Sequence, residues 1–252
     1  RGVSGVSREG KRIAAIFDLD GTLLPEPSLE RRLFRELRRS RRLTFANYLR
    51  WSVEACRLLP HGLLAVQRAN KRYLSNVCAS RALRHLDSFT FFDEGIARVL
   101  WHARQKHEIV LLSGTLEALA QHAAAALERA VEARGIAIEA RVCATKLAEE
   151  GGLWTGDVVG EPVFGMAKVR ALRALGREAA LDLRQSHTYG NCWHDRHVLD
   201  AVGHAHAVNP GKALAALANE RDWPIWHWHI EKQVAPEPGG SIPEIHPIEE
   251  RA

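Results

Sequence analysis

The stretch IAAIFDLDGTLL, residues 13–24, runs five apolar residues straight into two aspartates two apart, then a glycine and a threonine. A short apolar run of this kind reads as a strand buried on both faces. Such a strand needs a parallel sheet with helices on each side. Acidic groups that follow it directly fall at its carboxyl end, where open α/β sheets bind their ligands.

The rest of the chain supports that frame. EIVLLSGT, residues 108–115, reads as a second buried strand ending in small hydroxyl residues, SHTYGN as a strand end, and HAHAVNPG and WPIWHWHI as two further strands. Between them, EGIARVLWHARQKH, LEALAQHAAAALERAVEARG, MAKVRALRALGRE, DRHVLDAV and KALAALANERD keep helical spacing, with Gly135 closing the second. IEARVCATKLA and GGLWTGDVVGEPVFG suggest strands joined by a turn. Alternating strands and helices predict an α/β fold with a Rossmann-like parallel sheet.

Residues 25–88 break the pattern. Pro25 and Pro27 interrupt the chain, leucines 29, 33 and 37 fall four apart, and ANYLRWSVEACRLL and LLAVQRANKRYLSNV keep helical spacing. This predicts a helical insertion at 25–88 in a core made of 11–24 and 89–233. The proline-rich, weakly apolar segment 234–252 reads as a loose tail.

Composition sets outer limits. At 252 residues and 46% hydrophobic content the chain can fill one sizeable core, and a net charge of +5 favours anionic partners only mildly. Cys56, Cys78, Cys143 and Cys192 have no metal-ligand spacing, which predicts a reducing, cytoplasmic setting. No apolar run approaches the ~20 residues that cross a bilayer, and no signal-peptide pattern is present.

On this reading Asp18, Asp20, Ser113 and the GNCWHD stretch converge on one crevice. Two carboxylates there can bind a hard divalent cation, and Gly21 and Thr22 can open a turn whose amides face a phosphoryl group. Lys168, near a helix start, can neutralise the same phosphate. Singly, each has an ordinary explanation in a turn, a cap or a solvated charge.

In sequence order, DLDGTLL, LLSGT, Lys168 in FGMAKVRAL, and YGNCWHDRHVLDAVGHAHAVNP resemble the four motifs of the haloacid dehalogenase superfamily of phosphohydrolases. The nearest resemblance is to subfamily IB, the phosphoserine-phosphatase-like group, whose helical C1-type cap follows the first motif. The resemblance covers about residues 11 to 230. It implies that Asp18 is the nucleophile and becomes an aspartyl-phosphate, that Asp20 is general acid and then base, and that Ser113 and the Gly114 amide bind phosphoryl oxygens. Lys168 would hold the phosphate and balance Asp18. Mg2+ would be bound by Asp18, the backbone carbonyl of Asp20 and Asn191, with Asp195 holding a metal-bound water or Lys168. The implied activity is hydrolysis of a small phosphorylated substrate, a metabolite or a lipid head group.

One position departs from the family. The fourth motif usually opens GD, and here Asn191 replaces that aspartate, keeping a neutral oxygen ligand but removing a negative charge. A working enzyme with weaker Mg2+ affinity, a catalytically weak or inactive phosphate-binding or interaction module, and an engineered substitution all fit. The presence of Asp18, Asp20, Ser113 and Lys168 favours the working enzyme.

The run RRLFRELRRSRR, residues 31–42, holds seven arginines against one glutamate. We read it as a helix with Leu29, Leu33 and Leu37 inward and its arginines in water. The sharper alternatives are that one or two arginines grip a second anionic group of the substrate, or that 31–42 rests peripherally on an anionic membrane. Few aromatics interleave with these charges, so nucleic acid is not expected. His227 and His229 are expected on one face of a packed edge strand.

Overall fold

The computed structural model describes residues 10–230 apart from 85, 87 and 88. The expected tail at 234–252, and the last three positions of the expected core segment, lie outside the described residues. Strand β1 (Ala14–Phe17) is followed by an insertion of α1 (Leu29–Arg39), α2 (Phe45–Leu58), α3 (Leu63–Ala69), the short strand β2 (Val77–Cys78) and α4 (Ala79–Leu83). The chain continues through α5 (Asp93–Arg104), β3 (Glu108–Leu116), α6 (Glu117–Glu132), β4 (Ala140–Thr145), β5 (Leu147–Glu150) and β6 (Leu153–Val158). It ends in α7 (Met166–Glu178), β7 (His187–Gly190), α8 (Arg196–Leu199), β8 (His204–Val208), α9 (Lys212–Glu220) and β9 (Ile225–Trp226).

Six strands form one sheet in the order β4-β3-β1-β7-β8-β9, parallel throughout. From β1 the chain steps outward to β3 and β4, then returns past β1 to β7. The order therefore reverses beside β1, and a crevice opens at its carboxyl end. Side-chain alternation divides the core into two layers. Ala15, Phe17, Ile109 and Leu111 pack with α5 and α6, whereas Ala14, Ile16, Val110 and Leu112 pack with α7 and α8.

The ends of the insertion meet, since the Phe92 N–H donates to the Leu23 carbonyl at 3.0 Å. Helix α1 buries Leu29, Leu33 and Leu37 completely, as their spacing requires, and leaves Arg31, Arg35, Arg38 and Arg39 exposed. The GGLWTG segment forms an antiparallel hairpin of β5 and β6, whose partner is β2 of the insertion. The insertion is therefore tied to residues 147–158 by a small sheet of its own.

The expected last strand is shorter than WPIWHWHI. Only Ile225–Trp226 pairs with β8; beyond it Trp228 N–H goes to Asn209 Oδ1 and His229 N–H to Glu94 Oε2. These side-chain acceptors replace a ladder, while His227 and His229 still point outward on either side of buried Trp228. No helix among the described residues is long and apolar enough to cross a membrane.

Ring stacks run across β1, β7 and β8. Phe17 stacks on Tyr189 with centroids 4.5 Å apart, Tyr189 stacks on His206 at 4.5 Å, and His187 stacks on His204 at 4.6 Å. Ligand-capable atoms of His102, His107 and His187 lie within 4.8 Å of one another, but His102 spends both nitrogens, on His107 Nδ1 and on the Tyr189 hydroxyl, each at 2.8 Å. Burial and then a neighbouring histidine push His187 down to about 4 and His206 to about 3, which holds these two imidazoles neutral. Between about pH 6.5 and these values the unfolded chain binds the extra protons, so this cluster's contribution to stability falls as pH drops. In urea unfolding at pH 7 and at pH 4.5, the His206→Gln protein is expected to lose less stability on acidification than its parent.

Candidate active site

The loop after β1 is closed by its own backbone. Leu23 and Leu24 N–H groups return to the Leu19 carbonyl, and Gly21 N–H donates to Leu24 O at 2.7 Å. Gly21 has φ +81°, and a Cβ there would lie 1.9 Å from Asn191 Nδ2. The loops after β1 and β7 thus press together at a point where only glycine fits. One expectation is corrected here. The amides of Gly21 and Thr22 do not face an anion, because both are consumed within the turn, Thr22 N–H on Leu19 O at 3.2 Å.

The centre of the crevice is an ammonium shared by two carboxylates. Lys168 Nζ, on the first turn of α7, donates to Asp18 Oδ1 at 2.9 Å and to Asp195 Oδ1 at 2.8 Å, and all three residues are buried. The second oxygen of Asp195 accepts the N–H groups of Asn191 and Cys192 at 3.2 and 3.1 Å. Asp195 thereby fixes both the lysine and the loop that carries Asn191.

Burial would by itself lower the lysine, but the charges of Asp18 and Asp195 more than reverse this and hold it protonated. Asp195 is likewise exposed to a burial penalty that Lys168 outweighs, leaving it below the ordinary carboxylate range. Asp18 behaves differently. Burial pushes it up to about 6, Lys168 opposes the rise, and Asp195 adds to it. Asp20 is raised to about 7, chiefly by burial, against the Leu29 N–H that donates to its Oδ1 at 2.8 Å. That hydrogen bond also ties Asp20 to the start of α1.

Asp18, Asp20, Ser113, Gly114, Lys168 and Asn191 line one cavity of about 440 Å³. Asp195 sits behind Lys168, and Gly21 and Thr22 shape the turn without lining the cavity. Ser113 is buried, and its oxygen accepts the Thr115 N–H at 3.3 Å. The insertion supplies part of the wall, including Glu26, Ser28, Glu30, Arg31, Gln67 and Arg68. Arg31 is the one arginine of the basic run that reaches the cavity lining. Arg68 was not singled out in the sequence, where nothing separates it from the other cations of the insertion. Its guanidinium lies 3.9 Å from the centre of the Phe164 ring, and its buried Nε has no partner.

The residues present fit a hard cation. Asn191 Oδ1 is buried with no hydrogen-bond partner, beside the Asp18 carboxylate in the same cavity lining. Oxygen donors of this kind, one anionic and one neutral, suit Mg2+.

A sequence model of the haloacid dehalogenase-like hydrolases matches residues 15–200. Phosphoserine phosphatase SerB1 of Mycobacterium tuberculosis is 37% identical over 84 residues, a stretch that is 33% of this chain and 27% of that protein. The inhibition of morphological differentiation protein of Streptomyces azureus is 27% identical over 248 residues, 92% of this chain and 84% of that protein. Among solved structures, a phosphoserine phosphatase in apo form superposes with a TM-score of 0.58 at 16% identity, covering 88% of this chain and 95% of that one, which is a likeness of fold.

The contact between the two loops has a measurable consequence. Gly21→Ala adds a methyl where Asn191 stands and forces a left-handed backbone on a residue that resists it, so a loss of about 1–3 kcal/mol is expected by urea unfolding.

Proposed function

The chain belongs to the haloacid dehalogenase-like hydrolase family, and we propose that it is a Mg2+-dependent phosphomonoester hydrolase working through an aspartyl-phosphate on Asp18. The observation that carries this reading is the buried Lys168 ammonium held by Asp18 and Asp195 beside the unpartnered oxygen of Asn191. A carboxylate approaches a phosphate dianion only where fixed positive charge offsets the repulsion, and a buried ammonium meets that need.

In the proposed reaction an Asp18 oxygen forms a bond to phosphorus as the ester P–O bond breaks. The departing oxygen takes a proton from Asp20. Water then gives a proton to Asp20 and attacks phosphorus, the bond to Asp18 breaks, and inorganic phosphate leaves with both aspartates restored. Ser113 Oγ and the Gly114 amide donate to phosphoryl oxygens, and Lys168 balances their charge. Asp195 acts by holding Lys168. Asp18, the Asp20 carbonyl and Asn191 would hold Mg2+, which when bound adds positive charge beside the transferring group. The neutral Asn191 weakens metal affinity without removing a ligand.

Residues 25–88 are proposed as the cap that selects the substrate, with the core in 11–24 and 89–233. The cavity size and the Arg31 and Arg68 lining support a small anionic ester, a metabolite or a lipid head group. A cytoplasmic setting is part of the same proposal.

The test is release of phosphate from an aryl phosphate with and without Mg2+. Asp18→Asn is expected to cut turnover by about 10³-fold or more while circular dichroism stays unchanged. Asn191→Asp is expected to lower the Mg2+ concentration needed for half-maximal rate. Undiminished turnover by Asp18→Asn overturns the assigned nucleophile. Absence of turnover on any ester in a broad panel, by both the parent and Asn191→Asp, supports a phosphate-binding module instead.

A further inference from the structure

Helix α2 has fourteen residues and one buried side chain, and that side chain is polar. Asn47 donates to the Tyr73 and Ser75 carbonyls and accepts from Thr44, while Asn70 at the end of α3 donates to the Trp51 carbonyl. Polar side chains bonded to backbone thus attach the helix, where an inward apolar stripe would be usual. Its apolar stripe points the other way. Phe45, Leu49 and Val53, at successive steps of four and roughly opposite Asn47, are 82, 54 and 55% exposed. The turn into α3 continues the surface with Leu59, Leu63 and Leu64, Leu63 being 71% exposed. Eight of the fourteen large hydrophobic side chains exposed among the described residues fall between 45 and 64. A concentration of that kind marks a surface that meets something.

Charge identifies what it meets. Residues 41–64, which carry this face, hold Arg41, Arg42, Arg50 and Arg57 against the single acidic residue Glu54. The apolar face is thus flanked by an excess of positive charge. Two copies meeting through this face would oppose like charges, whereas an anionic lipid surface complements it. We propose that the α2–α3 hairpin docks the protein on an anionic membrane, with Phe45, Leu49, Val53 and Leu63 entering the interface and arginines at the head groups. The surface differs from the basic run at 31–42, whose helix turns its own apolar stripe into the core. Arg31, Gln67 and Arg68 line the cavity, so docking brings its mouth to the head groups. On the hydrolase reading of the preceding section, the substrate is then a phosphomonoester carried by a lipid.

Co-sedimentation tests the docking with vesicles of phosphatidylglycerol and phosphatidylcholine, neither of which is a phosphomonoester, against phosphatidylcholine alone. Retention is expected on the anionic vesicles only, falling as salt is raised to 0.5 M. A Phe45→Ser, Leu63→Ser double variant is expected to lower the partition coefficient about tenfold or more, with its thermal midpoint and its turnover of a soluble aryl phosphate unchanged. Failure to bind anionic vesicles at low salt overturns the docking. Binding that the variant leaves intact overturns the assigned face. A dimer in solution that the same variant dissociates, without vesicle retention, makes a second copy the occupant and overturns the membrane. Retention by a protein that hydrolyses no phosphate ester sinks the hydrolase reading and the lipid substrate with it, and leaves the docking standing.

Discussion

A single buried ammonium organises the crevice. Lys168 reaches from the first turn of α7 to carboxylates that follow β1 and β7, so three segments far apart in sequence are joined by two hydrogen bonds of 2.9 and 2.8 Å. Neither carboxylate could stay ionised in that setting without it, and the lysine could not stay protonated without them. Asp195 extends the arrangement by taking the Asn191 and Cys192 amides on its other oxygen. The loop after β7 is consequently held at the position where Gly21 lets it approach. Removing one partner would leave an uncompensated charge in the interior, so the arrangement stands or falls as a unit.

The strand order explains why these residues sit where they do. Because the chain fills the sheet outward from β1 in one direction and then returns to fill the other side, the segments at the carboxyl ends of β1, β3 and β7 diverge around a gap. Asp18 and Asn191 directly follow β1 and β7, and Ser113 lies toward the carboxyl end of β3, where its register with β4 shifts. The helices on both faces leave that rim as the place where backbone and polar side chains can remain incompletely satisfied, as Asn191 Oδ1 is.

Much of this frame was legible in the amino-acid order, and the reasons are local. Five apolar residues ending at Asp18 encode a doubly buried strand, and leucines four apart encode the buried face of α1, because period and burial are properties of a segment by itself. What was not legible depends on partners. The GGLWTG hairpin reads as two strands, but nothing within it says that β2 of the insertion is its neighbour. WPIWHWHI alternates to its end, yet a strand lasts only as long as β8 offers backbone to pair with. Gly21 and Thr22 have the composition of an anion-facing turn, and only the fold reveals that their amides close on Leu24 and Leu19. Arg68 was hidden among many cations; its place over Phe164 is set by packing between the insertion and the core.

The meeting of Leu23 and Phe92 at one backbone hydrogen bond has a wider consequence. To the parallel strands, the whole excursion between those residues amounts to a short link, so its length and make-up can drift while strand register is kept. A lineage could exchange the entire excursion, and with it the molecules admitted to the rim, without reinventing the scaffold beneath.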